Sequence, residues 1–136
     1  MQEFKYLGKR VTAPSKELDT FPKPEYVTVV KFESNELTSF CPITGQPDFS
    51  TVMIEYGPDK LCIESKSLKL YLWSFREDHI FGEGLANEIT NDIFAAVSPR
   101  WCKVTIIQNI RGGLQLTAVA ERHRDEAARL NGHHQG

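Results

Sequence analysis

The chain has 136 residues, 40% of them hydrophobic and 25% charged, with a formal net charge of −2, the profile of one soluble globular domain with a single core. That charge gives no global basic signal for nucleic acid or a membrane surface, no window approaches the roughly 18 to 20 apolar residues that span a bilayer, and the opening "MQEFKYLGKR" lacks the apolar centre of a secretory signal. Three cysteines, Cys41, Cys62 and Cys102, cannot all pair and none stands in CxxC spacing, which argues for a reducing, cytosolic setting and against a disulfide framework or a structural zinc site.

Residues 1–25 are rich in charge and proline (Pro14, Pro22, Pro24) without a steady period, and read as an N-terminal arm. "YVTVVKFES" (26–34) is β-branched and alternating, the pattern of a strand. "TSFCPITGQPDFS" (38–50) reads as an irregular, proline-bracketed loop. "TVMIEY" (51–56) and "LCIES" (61–65) read as strands joined by a turn at "GPDK". The period then lengthens: "SLKLYLWSFRE" (67–77) puts Leu68, Tyr71, Leu72 and Phe75 on one helical face, with Ser67 as N-cap. A second helix is predicted over 83–97, with Leu85, Ile89, Ile93, Ala96 and Val97 as its stripe and Ser98-Pro99 as its stop. Strands at 101–108 and 113–121 are linked through "NIRGG", and 122–136 read as a polar C-terminal tail. This order predicts an α+β domain over 26–121, an antiparallel sheet with two helices on one face. The edges of so small a sheet invite pairing with another copy, so an oligomer is expected.

Cys62 and Cys102 sit inside apolar strand runs and read as small buried hydrophobes. Cys41 lies on a loop, where it is either such a residue or a functional thiol. Asp48 is either a turn cap or a proton donor to that thiol's chemistry. Lys66, Lys69 and Arg76 fall near one another in helical angle, either as a grip for an anion or as a solvated face. Glu83 opens a helix, where the macrodipole alone favours a carboxylate, and Arg111 belongs to a short Arg-Gly-Gly corner.

Taken together, "CPITGQPDF", then "ESKSLKLYLWSFR" and later "RGG" closely resemble the NADPH-dependent nitrile reductase family acting on 7-cyano-7-deazaguanine (preQ0), in its short single-domain form. The resemblance covers about residues 26–121. It implies the tunnelling fold (T-fold), with subunits in rings usually stacked in pairs, here a decamer of two pentamers, and active sites at subunit interfaces. It implies Cys41 as the nucleophile that forms a thioimidate with the nitrile, and Asp48 as the residue that protonates the nitrile nitrogen. Glu64, Ser65 and Glu83 match positions that hold the deazaguanine, whose N–H and amino groups suit carboxylates. Lys66, Lys69 and Arg111 match positions that bind the phosphates of NADPH. No GxGxxG follows a strand, so basic side chains take the place of a Rossmann site. The product is the aminomethyl compound preQ1, on the route to queuosine. No metal, membrane or nucleic-acid partner is expected.

Two places depart from the family. Gly82 stands where the family usually has His within Phe-His-Glu, with His79 three residues earlier. "LQLTAVAERHR" after the glycines lacks the family's usual Asp-Pro or Asp-Val continuation. Two rival readings remain: a related amidinotransferase that adds ammonia to preQ0 already in tRNA, and a non-catalytic tunnelling-fold purine or pterin binder. A zinc cyclohydrolase is disfavoured, since His123, His133 and His134 lie in or near the tail.

Overall fold

The computed structural model describes residues 15–125. Alternation decides the sheet. In β3 (Pro47–Gly57) Ser50, Val52, Ile54 and Tyr56 are buried while Thr51, Met53 and Glu55 between them are half-buried, and β5 (Trp101–Gln108) repeats this with Cys102, Val104 and Ile106. A period of two turns one face of each strand to the core. With β2 (Val30–Phe40) and β6 (Thr117–His123) these form a four-stranded antiparallel sheet in the order β2-β3-β5-β6. A separate ribbon pairs β1 (Thr20–Pro22) with β4 (Leu61–Ile63), so the last residues of the expected arm already make strand hydrogen bonds.

Helix α1 (Ser65–Trp73), continued by a 3₁₀ turn (Ser74–Glu77), packs beside β2, and α2 (Gly82–Val97) lies across β5 and β6. Leu85, Ile89, Ile93 and Val97 form the buried stripe of α2, and Leu68, Tyr71 and Phe75 that of the first helical segment. Both meet the face of the sheet that carries Val52, Ile54, Val104 and Ile106, which is the expected α+β arrangement. Tyr56 is fully buried, and its hydroxyl accepts the Ile63 N–H at 2.8 Å, joining β4 to the sheet. Among the described residues no helix is long and apolar enough to cross a membrane.

Several boundaries differ from the sequence reading, and four of the differences have a clear physical reason. The first long strand runs over 30–40, not 26–34, because a β-bulge sets Asn35 and Glu36 against Thr51 alone. The bulge moves the inward set from Phe32 and Ser34 to Leu37 and Ser39, which hides the period. The expected loop at 38–50 shrinks to 41–46, since Thr38, Ser39 and Phe40 pair with Phe49, Asp48 and Pro47. The N-cap of α1 is Glu64, not Ser67, whose hydroxyl instead donates to the Glu64 carbonyl at 2.9 Å. The last strand starts at Thr117, because Gly112 and Gly113, at φ +60° and +76°, keep 111–114 as a tight turn. Of the expected tail, residues 126–136, including His133 and His134, lie outside the described residues, as do residues 1–14 of the arm.

Candidate active site

Strand β2 ends at Phe40, and Cys41 opens the turn that leads into β3. Its N–H donates to the Gln46 carbonyl at 2.9 Å, and the Gly45 N–H donates back to the Cys41 carbonyl at 2.9 Å. Gly45 sits at φ +71°, a conformation that glycine adopts without cost to a Cβ. The thiol is therefore half-buried on a closed, hydrogen-bonded turn. The Thr44 hydroxyl, followed by the backbone N–H groups of Thr44 and Ile43, holds the Cys41 thiol below its ordinary value, against a smaller upward push from burial and Asp48. Burial pushes the other two thiols up, that of Cys102 to about 12. The thiolate is the nucleophilic form, so Cys41 is the one cysteine whose surroundings favour it.

The segment that leads to α2 is fastened to the same strand end. The Phe40 N–H donates to Asp78 O at 2.8 Å, the Ile80 N–H donates to Phe40 O at 3.0 Å, and the His79 ring stacks on Phe40 with centroids 5.2 Å apart. Pro42, His79, Ile80, Phe81, Glu83 and Gly84 line a depression of about 620 Å³. Glu83 is exposed in the first turn of α2, where the helix dipole favours its charge.

Asp48 lies on β3 across from Ser39, on the other limb of the Cys41 turn. Its side chain is 14% exposed, and Arg111 Nη2 lies 2.9 Å from its Oδ1. Arg111 also donates to the Pro47 carbonyl. The arginine can reach because Arg111 and Leu114 exchange backbone hydrogen bonds of 3.0 Å across the two glycines, while the Asn109 N–H donates to Phe49 O at 2.8 Å. Arg111, matched by resemblance to a phosphate-binding position, thus lies with Asp48 and not on the cavity that Lys69 lines.

That cavity, about 490 Å³, lies between α1 and β2 and is lined by Phe32, Glu33, Ser65, Lys69 and Trp73 among others. Lys69 is exposed there and has no hydrogen-bond or ion-pair partner among the described residues. Glu64 is buried, and its carboxylate caps α1: Oε1 accepts from Ser67 N at 2.8 Å and Oε2 from Lys66 N at 2.7 Å. Arg76 does not join the lysines. It lies on the 3₁₀ turn, 5.7 Å from the Trp73 ring centre. The cavity beside Ser65 and Lys69 and the depression beside Pro42 and Glu83 share no lining residue, and both ends of α1, Ser65 and Trp73, line the first of them. The candidate residues thus fall into two groups: Cys41, Asp48 and Arg111 about the Cys41 turn, with Glu83 on the adjoining depression, and Glu64, Ser65, Lys66 and Lys69 at the start of α1.

At Gly82, where the chain departs from the family, two side-chain ends approach closely. A Cβ there would stand 2.7 Å from Leu116 Cδ2 and 3.2 Å from the Gln108 carboxamide. The space of a larger side chain is already filled from the β5–β6 hairpin. His79 is occupied in stacking on Phe40. Neither Leu116 nor Gln108 was legible as a site neighbour, because nothing local in their sequence marks a contact with a helix start. Thr44 was visible only as a turn residue.

Residues 47–127 match the family of QueF-like proteins. Among curated relatives, the NADPH-dependent 7-cyano-7-deazaguanine reductase of Syntrophus aciditrophicus is 51% identical over 114 residues, 82% of this chain and 81% of the relative. Those of Alkalilimnicola ehrlichii and Halorhodospira halophila are each 49% identical, over 83% and 82% of this chain and 89% and 97% of their own. In architecture the chain is similar to the crystal structure of the archaeosine synthase QueF-Like in its apo form, with TM-score 0.67 and 29% identity over 71% of this chain and 95% of that one. The fold is the tunnelling fold, and the chain belongs to the QueF-like protein family.

Proposed function

We propose that the chain reduces the nitrile of preQ0 to the aminomethyl group of preQ1, using NADPH, with residues 26–121 carrying the reaction. The observation that carries this reading is the Cys41 turn: one activated thiol, with a carboxyl group on the opposite limb. A nitrile carbon is a weak electrophile and calls for a thiolate. The Cys41 sulfur adds to it, one C–N π bond breaks, and the nitrogen takes a proton through Asp48, leaving a thioimidate. In this reading Glu83, exposed on the depression beside Pro42, receives the N–H edge of the deazaguanine. The relatives named above carry this activity in their names.

Lys69, exposed and unpaired on the cavity with Ser65, fits an anionic group, and Lys66 neighbours it on the first turn of α1. These residues would hold the phosphates of NADPH, which when bound supplies the two hydrides. Glu64 and Ser65 belong to the deazaguanine site in this reading, so a neighbouring subunit must bring its α1 end to the Cys41 end of the first. The open edges β2 and β6 favour such a ring, which we take to be two stacked pentamers. Three free thiols fit a reducing, cytosolic compartment, and the net charge of −2 favours free preQ0 over tRNA as substrate.

The test is covalent capture. Incubation with preQ0 without NADPH should add the mass of preQ0 to the peptide containing Cys41, and Cys41→Ala should show no adduct. An adduct surviving in Cys41→Ala would remove the assigned nucleophile.

A further inference from the structure

Two buried hydroxyls lack a partner among the described residues, those of Ser39 and Ser50. These residues are 1% and 2% exposed. Buried hydroxyls are ordinarily satisfied by protein or by ordered water, so two orphans near one another point to something that binds both. Their placement is specific. Ser39 is the register partner of Asp48, and Ser50 follows Asp48 by two residues on the same face of β3. Facing pairs hold their Cβ atoms about 5 Å apart and same-face neighbours along a strand about 7 Å apart. Three oxygen-bearing side chains thus border one patch, and Gln108, the partner of Ser50, puts its carboxamide between that patch and Gly82. A water needs two to four polar partners, and this patch provides them.

We infer that Ser39 and Ser50 hold a buried water against Asp48, and that the water and the two hydroxyls return a proton to Asp48 during turnover. The proton route rests on the reductase reading above. Converting R–C≡N to R–CH₂–NH₂ adds two hydrides at carbon and two protons at nitrogen. The first proton accompanies S–C bond formation, with the thiol's own proton making up the balance. The second comes from Asp48 as the remaining π bond breaks at the first hydride transfer. The C–S bond then breaks, Cys41 leaves as thiolate with the electron pair, and the second hydride completes the amine. Two protons must therefore enter from solvent, one for Asp48 and one for the sulfur. Asp48, mostly buried and covered by Arg111, has little direct access to bulk water. Ser39 and Ser50 are positioning residues in this route, acting through the water.

The experiment compares wild type with Ser39→Ala, Ser50→Ala, the double variant and Ser50→Thr. The double variant should lose on the order of tenfold in kcat, with KM for preQ0 within about twofold, and its solvent deuterium isotope effect on kcat should rise. Ser50→Thr, which keeps a hydroxyl, should retain most of the rate. An unaltered kcat and isotope effect in the double variant would overturn the relay. Two readouts do not depend on activity. A crystal structure should show a water within hydrogen-bond distance of both hydroxyls and an Asp48 oxygen, and an empty patch would overturn the proposal. Removing truly orphaned hydroxyls should raise Tm, so a more stable double variant would also overturn it. A wild type that oxidises no NADPH with preQ0 would instead fell the reductase reading and the proton route with it, while the water and the melting data still judge the patch.

Discussion

Arg111 spans the β5–β6 turn to reach Asp48, Nη2 to Oδ1 at 2.9 Å, across 63 positions of sequence. The residue expected on the cofactor's phosphates thereby sits on the expected acid. Arg111→Ala should therefore slow adduct formation at Cys41 as well as raise KM for NADPH. Because the arginine is 43% exposed, the pair is worth at most about 1 kcal/mol, a factor of about two to five in the adduct rate. Lys69→Ala should raise KM for NADPH and leave the adduct rate alone. Stopped-flow adduct formation beside steady-state kinetics separates the two, and an Arg111→Ala adduct rate equal to wild type would contradict the coupling.

The depressed Cys41 thiol makes a pH prediction. A group with a lowered value loses its proton earlier, so alkylation by iodoacetamide should reach half its plateau below the ordinary thiol value of 9.0. Thr44→Val removes the largest lowering influence and should move the midpoint up. Cys62 and Cys102, buried and raised, should stay unmodified in the native protein. Peptide mass spectrometry checks all three sites at once.

Gly82→His should destabilise the fold by about 1–3 kcal/mol through overpacking against Leu116 and Gln108. In a Leu116→Ala background the same change should cost clearly less, since one of the two obstacles is gone. Urea unfolding of the four proteins in the cycle measures this coupling. Equal costs in both backgrounds would show that Leu116 is not what closes the position.

At high pH the buried Cys102 and Tyr56, both pushed up to about 12 by burial, should each withdraw stability, alongside Cys62 and Tyr71, which burial also raises. The folded values of Cys102 and Tyr56 exceed the ordinary 9.0 and 10.0, so the unfolded chain loses these protons first. Their contribution is complete below pH 9, declines from there, and is gone above about pH 12, with a slope of at most about 1.4 kcal/mol per pH unit and group. Between the two ordinary values the decline belongs to the two buried thiols, Cys102 and Cys62. Cys102→Ala should flatten the curve there, as read from urea midpoints at several pH values.

The parts of the fold that follow an unbroken period were legible from sequence. Strand β5 is Trp101–Gln108 as read, and α2 starts one residue early. The bulge at Asn35–Glu36 defeated the reading of β2, because an extra residue flips the alternation mid-strand. Strand β1 has three residues, too few to show any period. Glu64 and Ser67 are both competent caps, and only the chain's path decides between them. At the site, the segment bearing Cys41 and Asp48 stood out because proline, glycine and a thiol cluster there. The Arg111–Asp48 contact, the Gly82 packing and the orphaned serines depend on strand register, which local sequence does not encode.

The most direct test of the reductase reading is the stoichiometry of NADPH oxidation with free preQ0. The account predicts a two-to-one ratio of NADPH consumed to aminomethyl product, abolished in Cys41→Ala. Covalent capture on Cys41 without NADPH oxidation, followed by amidine formation when ammonia and preQ0-bearing tRNA are supplied, would contradict it.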